Sequence, residues 1–193
     1  RVGDFYEMFY DDAVTASREL ELVLTGKDCG QEERAPMCGV PYHSCEGYIA
    51  RLIEKGYKVA ICEQTEDPAT AKGLVKRDVI RVVTPGTVLE DSMLDESRNN
   101  YLAALIFEGK SYGLCFIDAS TGAVNATEIG GSDAVQRVMS ELGRFTPKEI
   151  ITVKGFAEKK ELVSFVKDRI PCCLTIIDDE RFGSGIAELA GCR

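Results

Sequence analysis

Phe5 and Glu7 stand two residues apart in the stretch GDFYEMF, residues 3–9, just behind a Gly-Asp turn signal. In an extended segment Phe5, Glu7 and Phe9 share one face, and Tyr6, Met8 and Tyr10 share the other. Both faces then carry aromatics, so at least one is a candidate for exposure. An exposed Phe can enter the minor groove of a duplex and unstack a base step, kinking the helix. A carboxylate on the same face is repelled by phosphate, yet it can accept a hydrogen bond from the edge of a displaced base. Such a pair rewards bases that open easily, and damaged or mispaired steps cost least to open. The same residues also suit an ordinary pair of half-buried strand positions, and residue chemistry alone favours that plainer role.

Asp118, in FIDASTG (116–122), stands where a metal-binding carboxylate would sit at the end of a strand. Two-metal chemistry needs several carboxylates converging on ions about 4 Å apart. Glu141 and Asp178-Asp179 are available, but nothing in their spacing makes them converge. An Asp before Ser-Thr-Gly is also a common turn initiator. The densest basic group is Lys72, Lys76, Arg77 and Arg81, with Lys55 and Lys58 near in sequence. On alternating strand positions Arg77 and Arg81 would share a face. Beside an aromatic wedge that face positions phosphate; without one it is a solvated strand. Cys38, His43 and Cys45 have a metal-like spacing but no second ligand pair, and no phosphate-binding G-x-x-x-x-G-K-[ST] occurs. The residues therefore predict neither a metal nor a nucleotide site.

The chain has 193 residues, enough for one large domain or two smaller ones. It opens on Arg1-Val2-Gly3 and ends on Gly191-Cys192-Arg193, which reads as a segment of a longer protein. No run approaches the ~18 apolar residues of a membrane span. The eight cysteines fall largely in apolar runs such as VAIC and GLCFI. They are expected to be free core residues of a protein in a reducing, cytoplasmic compartment. Net charge is −9, with 11 Lys+Arg against 16 Asp+Glu in residues 1–90 and 12 against 16 in the remainder. That balance argues against a dedicated DNA-binding domain, so any nucleic-acid role must rest on a local patch.

Patterning places these residues on a mixed α/β frame. Asp11-Asp12 are expected to cap a helix over AVTASRELELVL, and residues 25–36 read as a loop. Ser44 opens a second helix closed by Lys55-Gly56. Residues 57–64 and 75–84 read as an antiparallel strand pair across the turn 65–73. A polar, aperiodic stretch follows, and the boundaries drawn from it are a first domain at 1–88, a linker at 89–100 and a second domain at 101–193. The second half predicts a three-strand meander, a helix from Ser132-Asp133 to Gly143, strand EIITV, helix 157–168 and strand CCLTII. Three antiparallel strands followed by helix–strand–helix–strand is the element order of a ribonuclease H-like domain.

Four blocks, in order, carry a resemblance: RVGDFYEMFYDDA, PMCGVPYH (36–43), VAICEQTEDPATAKG (59–73) and RVVTPGT (81–87). Together they closely resemble the amino-terminal mismatch-recognition domain of the bacterial MutS mismatch-repair family. The second half resembles that family's connector domain, ribonuclease H-like in fold and without nuclease activity. The resemblance implies a mixed α/β mismatch-recognition domain with its first strand cut short, then a carboxy-terminally truncated connector. It implies that Phe5 stacks on a mispaired base, that Glu7 hydrogen-bonds to it, and that Lys27 and Arg77 contact the DNA backbone. It implies no catalytic residue, metal or cofactor within these residues; ATP and Mg belong to an ATPase domain elsewhere in the parent protein. The implied partners are duplex DNA with mismatches or small loops, a MutL-like repair protein docking on the connector, and a second copy of the parent in a homodimer, with no membrane. Two further readings stay open at this level: a metal-dependent nuclease built on Asp118, and a module that only binds proteins.

Overall fold

The computed structural model describes residues 1–66, 71, 73 and 75–178. The chain divides into two compact units, Arg1–Thr84 and Pro85–Arg193. Helices and strands occur in both, as the α/β expectation required, with antiparallel sheets in the first unit and a mixed sheet in the second.

In the first unit strand β1 (Phe5–Phe9) runs directly into helix α1 (Tyr10–Leu20). Strands β2 (Thr25–Lys27) and β3 (Ala35–Pro41) follow, then helix α2 (Cys45–Glu54). β1, β3 and β2 form an antiparallel sheet in that order, which leaves β1 at an edge. Ala13, Ala16 and Leu20 of α1, spaced at helical intervals, pack with Cys38 and Leu52 to make the core. Strands β4 (Val59–Gln64) and β5 (Arg77–Val83) form a separate antiparallel pair.

Three expectations for this unit are corrected. Helix α1 starts at Tyr10, with Phe9 at its N-cap and no side-chain cap; Asp11 and Asp12 lie in the first turn. There they complement the helix dipole rather than cap it. The helix stops at Leu20 because Glu21 takes a left-handed conformation at φ 58°, so Val23 and Leu24 lie beyond it. The 25–36 segment contributes β2, a strand of only three residues, too short for alternation to announce it.

The second unit is built on a five-stranded sheet of order β10-β9-β6-β7-β8. β6 (Tyr101–Glu108), β7 (Ser111–Asp118) and β8 (Ala123–Ile129) form the antiparallel meander. β9 (Glu149–Val153) and β10 (Cys173–Ile177) then add in parallel on the other side of β6. Helices α3 (Ala134–Phe145) and α4 (Lys160–Arg169) provide the crossovers. This is the ribonuclease H-like order. Helix α4 starts later than residue 157, because residues 154–158 form a 3-10 turn first. Tyr112, Leu114 and Phe116 alternate along β7 into a core shared with Val138, Leu142, Ile150 and Leu162. Phe116 stacks on Phe145 at 4.0 Å between ring centroids.

The TPGT segment anchors this unit. A Cβ at Gly86 would sit 2.9 Å from Glu149 Cβ and 3.0 Å from Leu102 Cδ1, so only glycine fits there. The Gly86 amide donates to Glu149 Oε2 at 3.4 Å, and Asn100 Nδ2 donates to the Pro85 carbonyl at 3.0 Å.

Candidate nucleic-acid interface

The local frame of Phe5 is a two-residue turn. Val2 and Phe5 exchange backbone hydrogen bonds at 2.8 and 3.2 Å around Gly3-Asp4, and Gly3 supplies the positive φ of 57°. The Asp4 carbonyl then accepts from the Tyr42 amide at 2.9 Å. β1 starts at the end of this turn, and its alternation decides the two faces.

Tyr6 and Met8 turn inward. Met8 packs on the α1–α2 core, and the Tyr6 hydroxyl donates to Glu63 of β4. Burial, reinforced by the Glu63 carboxylate, pushes the Tyr6 phenol up to about 12. Phe5, Glu7 and Phe9 take the other face, and the Phe5 ring remains 47% exposed at the sheet edge. Tyr10, placed on the opposite face from sequence, is 59% exposed but has left the strand as the first residue of α1, so within β1 the exposed aromatic is Phe5.

Glu7 behaves differently from its neighbour. Its side chain is only 15% exposed, and the Lys27 ammonium donates to Oε2. Lys27 Nζ also lies 5.4 Å from the centroid of the Phe9 ring. The fold therefore gathers Phe5, Glu7 and Lys27, twenty residues apart in sequence, on one sheet. Opposite Glu7 in the β1–β3 ladder stands Gly39. A Cβ there would lie 3.2 Å from the Tyr6 carbonyl oxygen and 3.7 Å from both Glu7 Cγ and Phe5 Cδ1. Gly39 was not singled out from the sequence. Its signal is a glycine interrupting a strand run, MCGVP, which marks a close approach.

Arg77 does not join this group. It begins β5, and its guanidinium donates to the Arg1 carbonyl from Nε at 3.2 Å and to the Val75 carbonyl from Nη1 at 3.0 Å. The expected basic face is corrected too. Arg77 pairs with Gln64 but Arg81 pairs with Ile61, because a bulge displaces the register between Ile61 and Cys62. Gln64 and Ile61 are three apart, so Arg77 and Arg81 point to opposite faces. Lys76 pairs with Asp78 at 3.6 Å and Lys55 with Glu19 at 2.9 Å. Lys72 lies outside the described residues.

Asp118 is fully buried, and its carboxylate is occupied by its own turn. Oδ1 accepts from the Ser120 hydroxyl at 2.6 Å and amide at 3.0 Å, and from the Thr121 amide at 3.4 Å. Oδ2 accepts from Asn99 Nδ2 at 2.6 Å and the Asn100 amide at 3.3 Å. Burial works to raise its pKa, but the bonds from Ser120, Asn99 and Thr121 prevail and hold it at about 2. Glu141 pairs with Arg144 at 2.7 Å, Asp178 pairs with Lys154, and Asp179 lies outside the described residues. Among the described residues no group of three His, Cys, Asp or Glu side chains could hold a metal. Asp118 thus ties residues 99 and 100 to the end of β7.

The seven described cysteines are free, but only Cys38 is a core residue; its thiol lies 3.4 Å from the Ala13 carbonyl. Cys172 is half-buried and packs against the core of the second unit, whereas Cys45, Cys62, Cys115 and Cys173 are half-buried and Cys29 is exposed, which corrects the expectation of core positions for most of them. Burial pushes the Cys172 thiol up to about 11. No described helix is long and apolar enough to cross a membrane.

These features describe an α/β unit that presents an aromatic and a sequestered carboxylate from one edge strand, followed by a unit of ribonuclease H-like strand order. Residues 1–92 match the family model for MutS domain I, and residues 100–190 match that for MutS domain II. The chain belongs to the MutS family. It is 53% identical over 182 residues to the DNA mismatch repair protein MutS of Acetivibrio thermocellus, and 52% identical over 185 residues to that of Ruminiclostridium cellulolyticum. The alignments cover 94% and 96% of this chain but 21% of each relative, so the chain spans about a fifth of their length. The MutS protein of Lachnoclostridium phytofermentans is 51% identical over 184 residues, 95% of this chain and 19% of the relative.

Proposed function

We propose that this chain is the mismatch-sensing and connecting part of a DNA mismatch repair protein. In this reading Phe5 enters the minor groove and stacks on a mispaired or unpaired base. Glu7 accepts a hydrogen bond from the edge of that base. Selectivity comes from the lower cost of opening a mispaired step, with no base code required. Arg77 brings positive charge to an otherwise acidic chain beside the DNA backbone. Residues 1–88 form the sensor, 89–100 the link and 101–193 the connector, which joins the sensor to the rest of the protein and docks a MutL-like partner. Catalysis lies elsewhere: ATP and Mg serve an ATPase domain of the full-length homodimer.

One observation carries this reading. In a member of the MutS family, a Phe stands half-exposed on an edge strand with a carboxylate held beside it on the same face. An aromatic half-exposed on an edge strand has a face free to take a stacking partner. The test is anisotropy binding of the full-length protein to a G·T duplex and its matched homoduplex, wild type beside Phe5→Ala, across several salt concentrations. Loss of the mismatch preference with an unchanged salt slope supports the wedge. A preference that survives the substitution makes Phe5 a structural residue and removes the reading.

A further inference from the structure

Glu7 brings a negative charge to a face proposed to meet a polyanion, and the folded chain has already answered that charge. The donor is unexpected from strand positions alone. Lys27 stands opposite Ala35 on β3, whereas Glu7 stands opposite Gly39, with β3 lying between their two strands. The lysine side chain therefore crosses the sheet obliquely, over the Phe9 ring, to place Nζ on Glu7 Oε2. An ammonium within about 6 Å of an aromatic centroid and paired with a carboxylate is a favourable use of lysine. The acid is the more enclosed partner, at 15% exposure against 39% for the lysine. Among the described residues Glu7 Oε1 accepts no hydrogen bond.

We propose that Lys27 is a positioning residue for Glu7. It neutralises the carboxylate and fixes it through Oε2, leaving Oε1 as the acceptor for a base N–H. This rests on the reading that Phe5 and Glu7 meet a mispaired base. It assigns Lys27 to Glu7 rather than to phosphate, because a cation already paired releases few counterions when DNA arrives. Without Lys27 an uncompensated carboxylate would face the DNA and repel every duplex, matched or not.

A double-mutant cycle in the full-length protein decides it, with Lys27→Met, Glu7→Gln, the double variant, Lys27→Arg and Phe5→Ala measured on G·T and matched duplexes. Lys27→Met in the wild-type background is expected to weaken both duplexes, by roughly tenfold. In the Glu7→Gln background the same change is expected to be nearly silent and to leave the salt slope unmoved. Lys27→Arg keeps the charge and stays within about twofold of wild type. Equal losses in the two backgrounds, with a salt slope lower by about 0.9, would make Lys27 a phosphate contact and overturn the proposal. A loss for Lys27→Arg as large as for Lys27→Met overturns it as well. Phe5→Ala separates the two failures: if it abolishes mismatch preference while the cycle is additive, the wedge stands and only the role of Lys27 falls. If Phe5→Ala changes nothing, the wedge itself falls.

Discussion

Gly39 faces Glu7 across the β1–β3 ladder, and a Cβ there would lie 3.7 Å from both Glu7 Cγ and Phe5 Cδ1, in ordinary contact with the acid and the aromatic together. Its φ is not in the left-handed region, so the backbone there does not demand glycine, and an added Cβ is met tightly only by the Tyr6 carbonyl oxygen. Gly39→Ala places a Cβ 3.2 Å from the Tyr6 carbonyl oxygen, a contact relieved by a shift of a few tenths of an ångström. We expect it to change stability by less than about 1 kcal/mol, since the strand entropy gained offsets the crowding. Gly39→Val must displace Phe5 or Glu7. The ratio of mismatch to homoduplex affinity in the full-length protein should fall by about tenfold, about 1.4 kcal/mol, with the thermal midpoint little changed.

Phe5→Ala should cost little stability despite removing a large aromatic. The ring is 47% exposed at an edge strand, and exposed substitutions typically fall within about 0.5 kcal/mol. Urea unfolding checks this. A loss of 2 kcal/mol or more, by the scale of core truncations, would show that the ring is packed rather than presented.

Asp118 makes stability depend on acid. Its pKa is depressed to about 2 in the folded chain against 3.8 for the free side chain. Its stabilisation is therefore complete above about pH 4 and is lost as pH falls through about 2, because the unfolded chain takes up the proton first. Asp118→Asn should cost about 2 kcal/mol at neutral pH, the scale of hydrogen bonds to a charged acceptor. The difference between wild type and variant should shrink as pH is lowered from 4 to 2. A difference that stays constant over that range would remove the charge from the explanation.

Two glycines should respond in opposite directions to the same change. Gly86→Ala forces a methyl to within 2.9 Å of Glu149 Cβ and 3.0 Å of Leu102 Cδ1, and overpacking of this kind costs about 1–3 kcal/mol. Gly47 lies inside helix α2 with nothing within 4 Å of an added Cβ, so Gly47→Ala should stabilise by about 0.5–1 kcal/mol. Thermal denaturation of the two variants against wild type measures both.

The sequence determined the strands and helices wherever a period or a punctuating residue is strong enough to act alone. The meander of β6, β7 and β8 follows from apolar alternation between Gly109-Lys110 and Ser120-Thr121-Gly122, and the second helix closes at Lys55-Gly56 because glycine takes φ 84° there. It also determined that Phe5 and Glu7 share a face, since period two admits no other outcome in a strand. Tertiary structure decided the rest. Which face of β1 is exposed depends on Tyr6 finding Glu63 and Met8 finding the α1–α2 core, both distant in the chain. That Lys27 serves Glu7 depends on a three-residue strand with no periodicity of its own, placed only by pairing with β3. That Arg77 and Arg81 face apart depends on one bulge, which cancels the alternation that local spacing assumes. Local preference sets the period of a segment; its partner sets which side is out, and a partner forty or sixty residues away is not written in the segment itself.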